Sequence, residues 1–95
     1  MNRYRFSRQA EQDLEDIWFY IAQTDEVAAD LLIAKILNKF PMLAKFPNMG
    51  KQRDDLLKGV RSFPIKPYVI FYSQTSDRIE IVRIVHQSRD IENQF

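Results

Sequence analysis

Apolar positions follow a helical spacing before residue 46 and an alternating, strand-like spacing after residue 59. Ala10, Leu14, Ile17, Trp18 and Ile21 recur at intervals of four, three, one and three, one face of a 3.6-residue period, and predict an amphipathic helix. Ser7 precedes its first residue, Arg8, and offers a hydroxyl to the amides of the opening turn that have no carbonyl partner. Glu11, Asp13, Glu15 and Asp16 fall mostly off the apolar face, several of them near the helix start where the dipole favours anions. Trp18 lies on the stripe, which assigns it to packing rather than to a partner. Ahead of the helix, Arg3 to Phe6 alternates weakly and is short enough to be an edge strand.

Gln23-Thr24-Asp25 interrupts the period, and Thr24 or Asp25 can cap a second helix whose buried stripe is Ala28, Leu31, Leu32, Lys35, Ile36 and Phe40. So short a connection makes the two helices an antiparallel hairpin. Pro41 cannot donate to the carbonyl of Leu37. The helix therefore kinks there, or stops and restarts with Pro41 in a first turn, and ends by Lys45. Phe46 to Gly50 is a loop, and Lys51 to Lys58 is polar and weakly patterned, with Leu56 and Leu57 expected to fold back as a local plug.

From Val60 onward the pattern is that of a sheet. Val60 to Pro64 is a strand, and Pro64 and Pro67 place a hairpin end or an edge between them because neither can donate to a ladder. Tyr68 to Gln74 is apolar on both faces, with Val69 and Phe71 to one side and Tyr68, Ile70 and Tyr72 to the other, so it is central. Thr75-Ser76-Asp77 turns the chain into a strand from Arg78 to His86. Strict alternation puts Ile79, Ile81, Arg83 and Val85 on one face and Glu80, Val82, Ile84 and His86 on the other. The helix hairpin covers one sheet face; the second needs a small cover or is kept for a partner. Ser88 is positioned to cap a last helical turn through Asp90, Ile91 and Phe95. The fold class is thus α+β: an N-terminal strand, an antiparallel helix hairpin on one face of a mainly antiparallel sheet, in the order β-α-α-β-β-β, and a short C-terminal helical turn.

Ninety-five residues leave room for one domain over 1–95 and no second core. The absence of cysteine excludes disulfides and thiolate metal sites, and one histidine leaves only scattered carboxylates, so neither a metal nor another cofactor is expected. The N-terminus has cations without an apolar run behind them, and no stretch approaches the roughly 18 apolar residues of a membrane span, so a soluble, cytoplasmic protein is expected. The net charge of +1 hides an asymmetry. Residues 1–34 carry three Lys/Arg against seven Asp/Glu, and residues 35–95 carry eleven against six. That dipolar distribution suits an acidic partner on the basic half. With no aromatic platform or groove-reading helix, the sequence does not point to direct nucleic-acid binding.

The segments YRFS, AEQDLEDIWFYIA, LAKFPNMG, VRSFPIKPYVIFY and IEIVRIVHQSRDIE, in that order, resemble the ParE branch of the RelE/ParE toxin superfamily across nearly the whole chain. The most diagnostic pieces are Arg61-x-Phe63-Pro64, Tyr68 to Tyr72, and Arg83-Ile84-Val85-His86 leading to Arg89-Asp90. Pro41 departs from relatives that keep the second helix unbroken. The resemblance implies a toxin of a type II toxin-antitoxin, plasmid-stabilisation system that inhibits DNA gyrase by protein-protein contact and is neutralised by a ParD-like antitoxin. It also admits two alternatives: a RelE-like ribosome-dependent mRNA endonuclease, and an inactive member that only binds its antitoxin.

Cleaving RNA through its 2′-hydroxyl needs a base, an acid and cations on the phosphate. His86 could carry one proton and Arg61 and Arg83 could clamp phosphate, but a second proton carrier is hard to find, since a tyrosine such as Tyr68 or Tyr72 is a poor base near pH 7. Contact is therefore favoured over catalysis. Arg61, Arg83, His86 and Arg89 are the candidate partner-binding residues. Arg83, among apolar neighbours, must pair, snorkel or meet a partner, and the carboxylate could come from Glu80, Asp90 or an acidic antitoxin segment.

Overall fold

A computed structural model describes residues 3–95. Strand β1 (Tyr4–Phe6) leads into helix α1 (Arg8–Ala22), whose N-cap is Ser7: its Oγ accepts the Ala10 amide at 3.0 Å and donates to the carbonyl of Val82 at 2.8 Å. One hydroxyl thus starts the helix and ties it to the sheet. Asp25 caps α2 (Glu26–Leu37) by accepting the Ala28 amide at 3.0 Å. At Pro41 the chain stops and restarts: α2 ends at Leu37, and a short α3 (Phe40–Lys45) follows with the proline in its first turn, where no donor is needed.

The stripe that α2 buries is rotated from the sequence expectation. Ala29, Ile36 and Phe40 are buried, whereas Leu31 is 67% exposed. Trp18 is half-buried rather than central; its indole N–H donates to Asp30 Oδ1 at 2.7 Å and clips the two helices together.

The remaining chain forms β2 (Lys51–Gln52), β3 (Val60–Ile65), β4 (Tyr68–Gln74), β5 (Ile79–His86) and a C-terminal 3₁₀ turn (Ile91–Gln94). The fold is α+β, with a five-stranded sheet in the order β1-β5-β4-β3-β2; only the β1–β5 pairing is parallel. β4 is central, as its two apolar faces require. Pro64 lies on β3 beyond the end of β2, where its missing donor leaves no gap in a ladder.

A bulge changes the face assignment of β5. Phe71 stands opposite Arg83 and Tyr72 opposite Ile81, so Val82 is the extra residue. Ile79 and Ile81 therefore share the helix-covered face with Ile84, not with Arg83 and Val85. That face, with Tyr68, Ile70, Tyr72 and Ile65, packs on Ala10, Ile17, Ile36, Phe40 and Leu43. The opposite face is small and capped from within the chain. Val60, Phe71 and Val85 are covered by Leu56 and by Ile91 and Phe95 of the C-terminal segment, with the Phe95 ring 5.0 Å from Phe71. Ser88 does not cap that segment; Asp90 precedes it, and the Ser88 hydroxyl lies 2.7 Å from His86 Nδ1.

Candidate partner-binding groove

β1 is only three residues long and pairs with β5 at Ile79, Glu80 and Ile81. From Arg83 to His86 the β5 edge is consequently free of a neighbouring strand, and α1 runs beside it. The space between them is a groove of about 700 Å³ whose walls include Asp13, Asp16, Tyr20, Tyr68, His86 and Arg89. Arg83, His86 and Arg89 all reach this groove; Arg61 does not.

Arg83 finds its carboxylate on α1. Its Nε lies 2.9 Å from Asp13 Oδ2 and its Nη2 3.1 Å from Oδ1, a two-pronged pair, while Nη1 donates to the carbonyl of Gln94 at 3.0 Å. Asp13 Oδ2 also accepts the Ile84 amide at 2.9 Å, and Oδ1 accepts from Gln9 at 3.1 Å. The carboxylate thus stands in for a strand neighbour just past the end of β1. Asp13 is 7% exposed and Arg83 17%, so each charge depends on the other. Neither Glu80 nor Asp90 takes this role: Glu80 pairs with Arg5 at 3.1 Å, and Asp90 accepts from Asn93. Asp13 was legible in principle, since it sits three residues after Ala10 and four before Ile17, on the buried stripe itself.

Arg61 is also committed within the chain, at the other end of the sheet. Its Nη1 donates to the carbonyl of Gly50 at 2.7 Å. The same loop is held by buried Tyr72, whose hydroxyl donates to the Pro47 carbonyl and accepts the Gly50 amide, both at 2.8 Å. A side chain at Gly50 would press on the Tyr72 ring and on the Ser62 carbonyl.

His86 and Arg89 are differently placed. His86 stacks edge-on against Tyr68 with ring centroids 5.2 Å apart, and its Nδ1 accepts the Ser88 amide at 3.1 Å, which leaves Nε2 as the donor of the neutral ring. Among the described residues Arg89 has no ion-pair partner. Burial pushes the Tyr68 phenol up, Tyr20 adds to the rise and Arg89 opposes it, so these three groups are within electrostatic reach of one another. The raised phenol is a hydrogen-bond donor at neutral pH, with even less of the phenolate available to act as a base than a free tyrosine has. Tyr72 is likewise pushed up by burial. Among the described residues no group of His, Asp or Glu is arranged to hold a metal ion, and no helix is long and apolar enough to cross a membrane.

Comparison with known proteins places this geometry among relatives. The family described as the ParE toxin of type II toxin-antitoxin system, parDE, matches residues 4–91. Toxin ParE1 of Caulobacter vibrioides is 39% identical over 90 residues, spanning 93% of this chain and 92% of that protein. Toxin ParE3 of the same organism is 29% identical and spans 90% of this chain and 86% of that one. Toxin ParE1 of Mycobacterium tuberculosis is 27% identical over 93 residues, 96% of this chain and 95% of that one. Among solved structures, a chain of the chromosomal ParDE TA system from P. aeruginosa superimposes with a TM-score of 0.75 at 24% identity, covering 90% of this chain and 96% of that one, a likeness of fold.

Proposed function

The chain belongs to the ParE toxin family of type II toxin-antitoxin systems, and from that premise we propose that it is a toxin acting by protein-protein contact on DNA gyrase and neutralised by a ParD-like antitoxin. The observation that carries the choice of contact over catalysis is the fate of the two arginines. A ribonuclease of this fold would need Arg61 and Arg83 on the scissile phosphate. Arg61 instead holds the Gly50 carbonyl, and Arg83 holds Asp13 and the Gln94 carbonyl. Freeing Arg83 for phosphate would leave Asp13 buried and unpaired, a cost of several kcal/mol on the scale of about 3–5. The phenols offer no replacement base, since burial moves Tyr68 and Tyr72 away from neutrality.

The partner-binding residues on this reading are His86 and Arg89, which present donors to the α1–β5 groove, with Arg83 and Arg61 shaping the surface from behind. The antitoxin is expected to be the product of an adjacent reading frame and to be acidic where it meets the basic half of the chain. Purified protein added to gyrase and relaxed plasmid is expected to block supercoiling and to accumulate cleaved plasmid. Unchanged supercoiling at excess protein overturns the gyrase reading, and cut mRNA in a translation extract would point to a ribonuclease in its place.

A further inference from the structure

We propose that Tyr20, Tyr68, His86 and Arg89 form a carboxylate-binding subsite in the α1–β5 groove, which receives one aspartate or glutamate of the antitoxin segment that docks there. This rests on the antitoxin reading above and names the contact that reading lacks. All four residues line the same groove. All four carry donors: two phenol hydroxyls, a guanidinium, and the Nε2–H that the Ser88 amide assigns to the His86 ring. Arg89 is the one member with a full positive charge, and no carboxylate of the described chain pairs with it. The acidic walls of the groove are already engaged, Asp13 by Arg83 and Asp16 by the Gln12 amide at 2.9 Å. A planar guanidinium flanked by further hydrogen-bond donors matches a carboxylate, which accepts on both oxygens.

The surroundings select a peptide over a nucleic acid. Asp13 and Asp16 line the groove, and α1 belongs to the half of the chain that carries seven acidic residues against three basic ones. Asp13 is offset by Arg83, but Asp16 has no cation paired with it among the described residues, so successive phosphates would be repelled there, whereas a single carboxylate need meet only Arg89 and its neighbours. Apolar residues line the same groove, Ile17, Ile84 and Val85 among them. The docking segment should therefore carry its acidic residue beside apolar ones.

The test uses the full chain and the protein encoded by the adjacent reading frame, mixed and measured by titration calorimetry. Arg89→Gln is expected to weaken binding by about tenfold to a hundredfold, the range for a hydrogen-bonded charge contact, and Tyr20→Phe by a smaller factor. Arg78→Gln, a distant cation whose partner is its neighbour Asp77, should bind as the wild type does. One Asp→Asn or Glu→Gln change in the partner should reproduce the Arg89→Gln loss, with little further loss when the two are combined. Thermal unfolding of each variant checks that the fold is retained. If the wild type binds the partner and Arg89→Gln and Tyr20→Phe bind equally well, the subsite falls while the antitoxin reading stands. If the wild type does not bind, that reading fails and the subsite with it. An oligouridylate that binds the free chain as tightly, with the same dependence on Arg89, would also overturn the proposal in favour of phosphate.

Discussion

Replacing Asp13 by alanine is the sharpest perturbation the structure offers. The change removes the acceptor of four hydrogen bonds: two from Arg83, one from the Ile84 amide and one from Gln9. Arg83, only 17% exposed, is left with the Gln94 carbonyl, and a strand amide loses its partner. Breaking a buried pair from one side costs about 3–5 kcal/mol, and the partial exposure of Arg83 argues for the lower end, about 3 kcal/mol. A chain of this length has a total stability of about 5–14 kcal/mol, so a large share is at stake. At about 4–8 °C per kcal/mol, Tm should fall by about 12–24 °C. Thermal and urea unfolding followed by circular dichroism measure this directly. Replacing both partners, Asp13→Leu with Arg83→Met, should cost less than the sum of the two single changes by at least about 1 kcal/mol. An Asp13→Ala protein within about 0.5 kcal/mol of wild type, or a strictly additive double variant, would refute the reasoning. Loss of activity in Arg83→Ala carries information about a partner only at temperatures where that variant is folded.

Gly50→Ala should lose about 1–3 kcal/mol by urea unfolding, because a Cβ there meets the Tyr72 ring at 2.8 Å and the Ser62 carbonyl at 2.9 Å, and the latter is backbone that cannot swing aside. Tyr72→Phe should lose about 1–3 kcal/mol at pH 7, since the buried Gly50 amide is left without its acceptor. Burial raises the Tyr72 pKa in the folded state, so the unfolded chain gives up this proton first as pH rises. The contribution is complete below the ordinary phenol value of about 10 and is lost as pH climbs through the folded value, so the gap between wild type and Tyr72→Phe should narrow above about pH 10 in unfolding curves. Phe95→Ala should cost about 1–2 kcal/mol and expose the second sheet face, read as increased hydrogen exchange at Phe71 and Val85, because Phe95 is part of the lid over that small core.

Much of the fold was legible because local chemistry and tertiary packing agree. Ser7 and Asp25 both serve as N-caps, Pro41 divides a helix where its missing donor requires it, and β4 is central because no other position hides two apolar faces. The misreadings have separate causes. A period-two pattern has no means of registering an inserted residue, so the bulge at Val82 inverted the face of everything after it on β5. The two-residue β2 is too short to have a period, and it exists because Lys51 and Gln52 lie against Ser62 and Arg61. Leu31 was assigned to the core because the stripe of α2 was drawn about one position off, a shift of some 100° that only the neighbouring helix could reveal.

The sequence grouped Arg61, Arg83, His86 and Arg89; the last three line the groove and Arg61 does not, and the α1 residues facing them were not among the candidates. Asp13 was passed over because acidic residues near a helix start have an ordinary explanation in the dipole. Tyr20 has no periodic signature at all; its relevance comes from the space between α1 and the open end of β5, a distance of more than sixty residues along the chain. Arg83 was expected to need a partner for its charge, and Arg61 was grouped with it as a candidate for binding a partner protein. Their partners are a loop carbonyl and a helix carboxylate, neither of which any spacing rule connects to them.

The claim that this toxin works by contact and not by chemistry is tested most directly by titrating it into a fixed amount of gyrase with relaxed plasmid and measuring cleaved plasmid against the toxin-to-gyrase ratio. Contact predicts that cleaved plasmid rises with toxin, levels off near a fixed stoichiometry, and has its ends covalently attached to gyrase. No cleaved plasmid at saturating toxin, or free-ended products that keep accumulating with time at trace amounts of toxin, would contradict it.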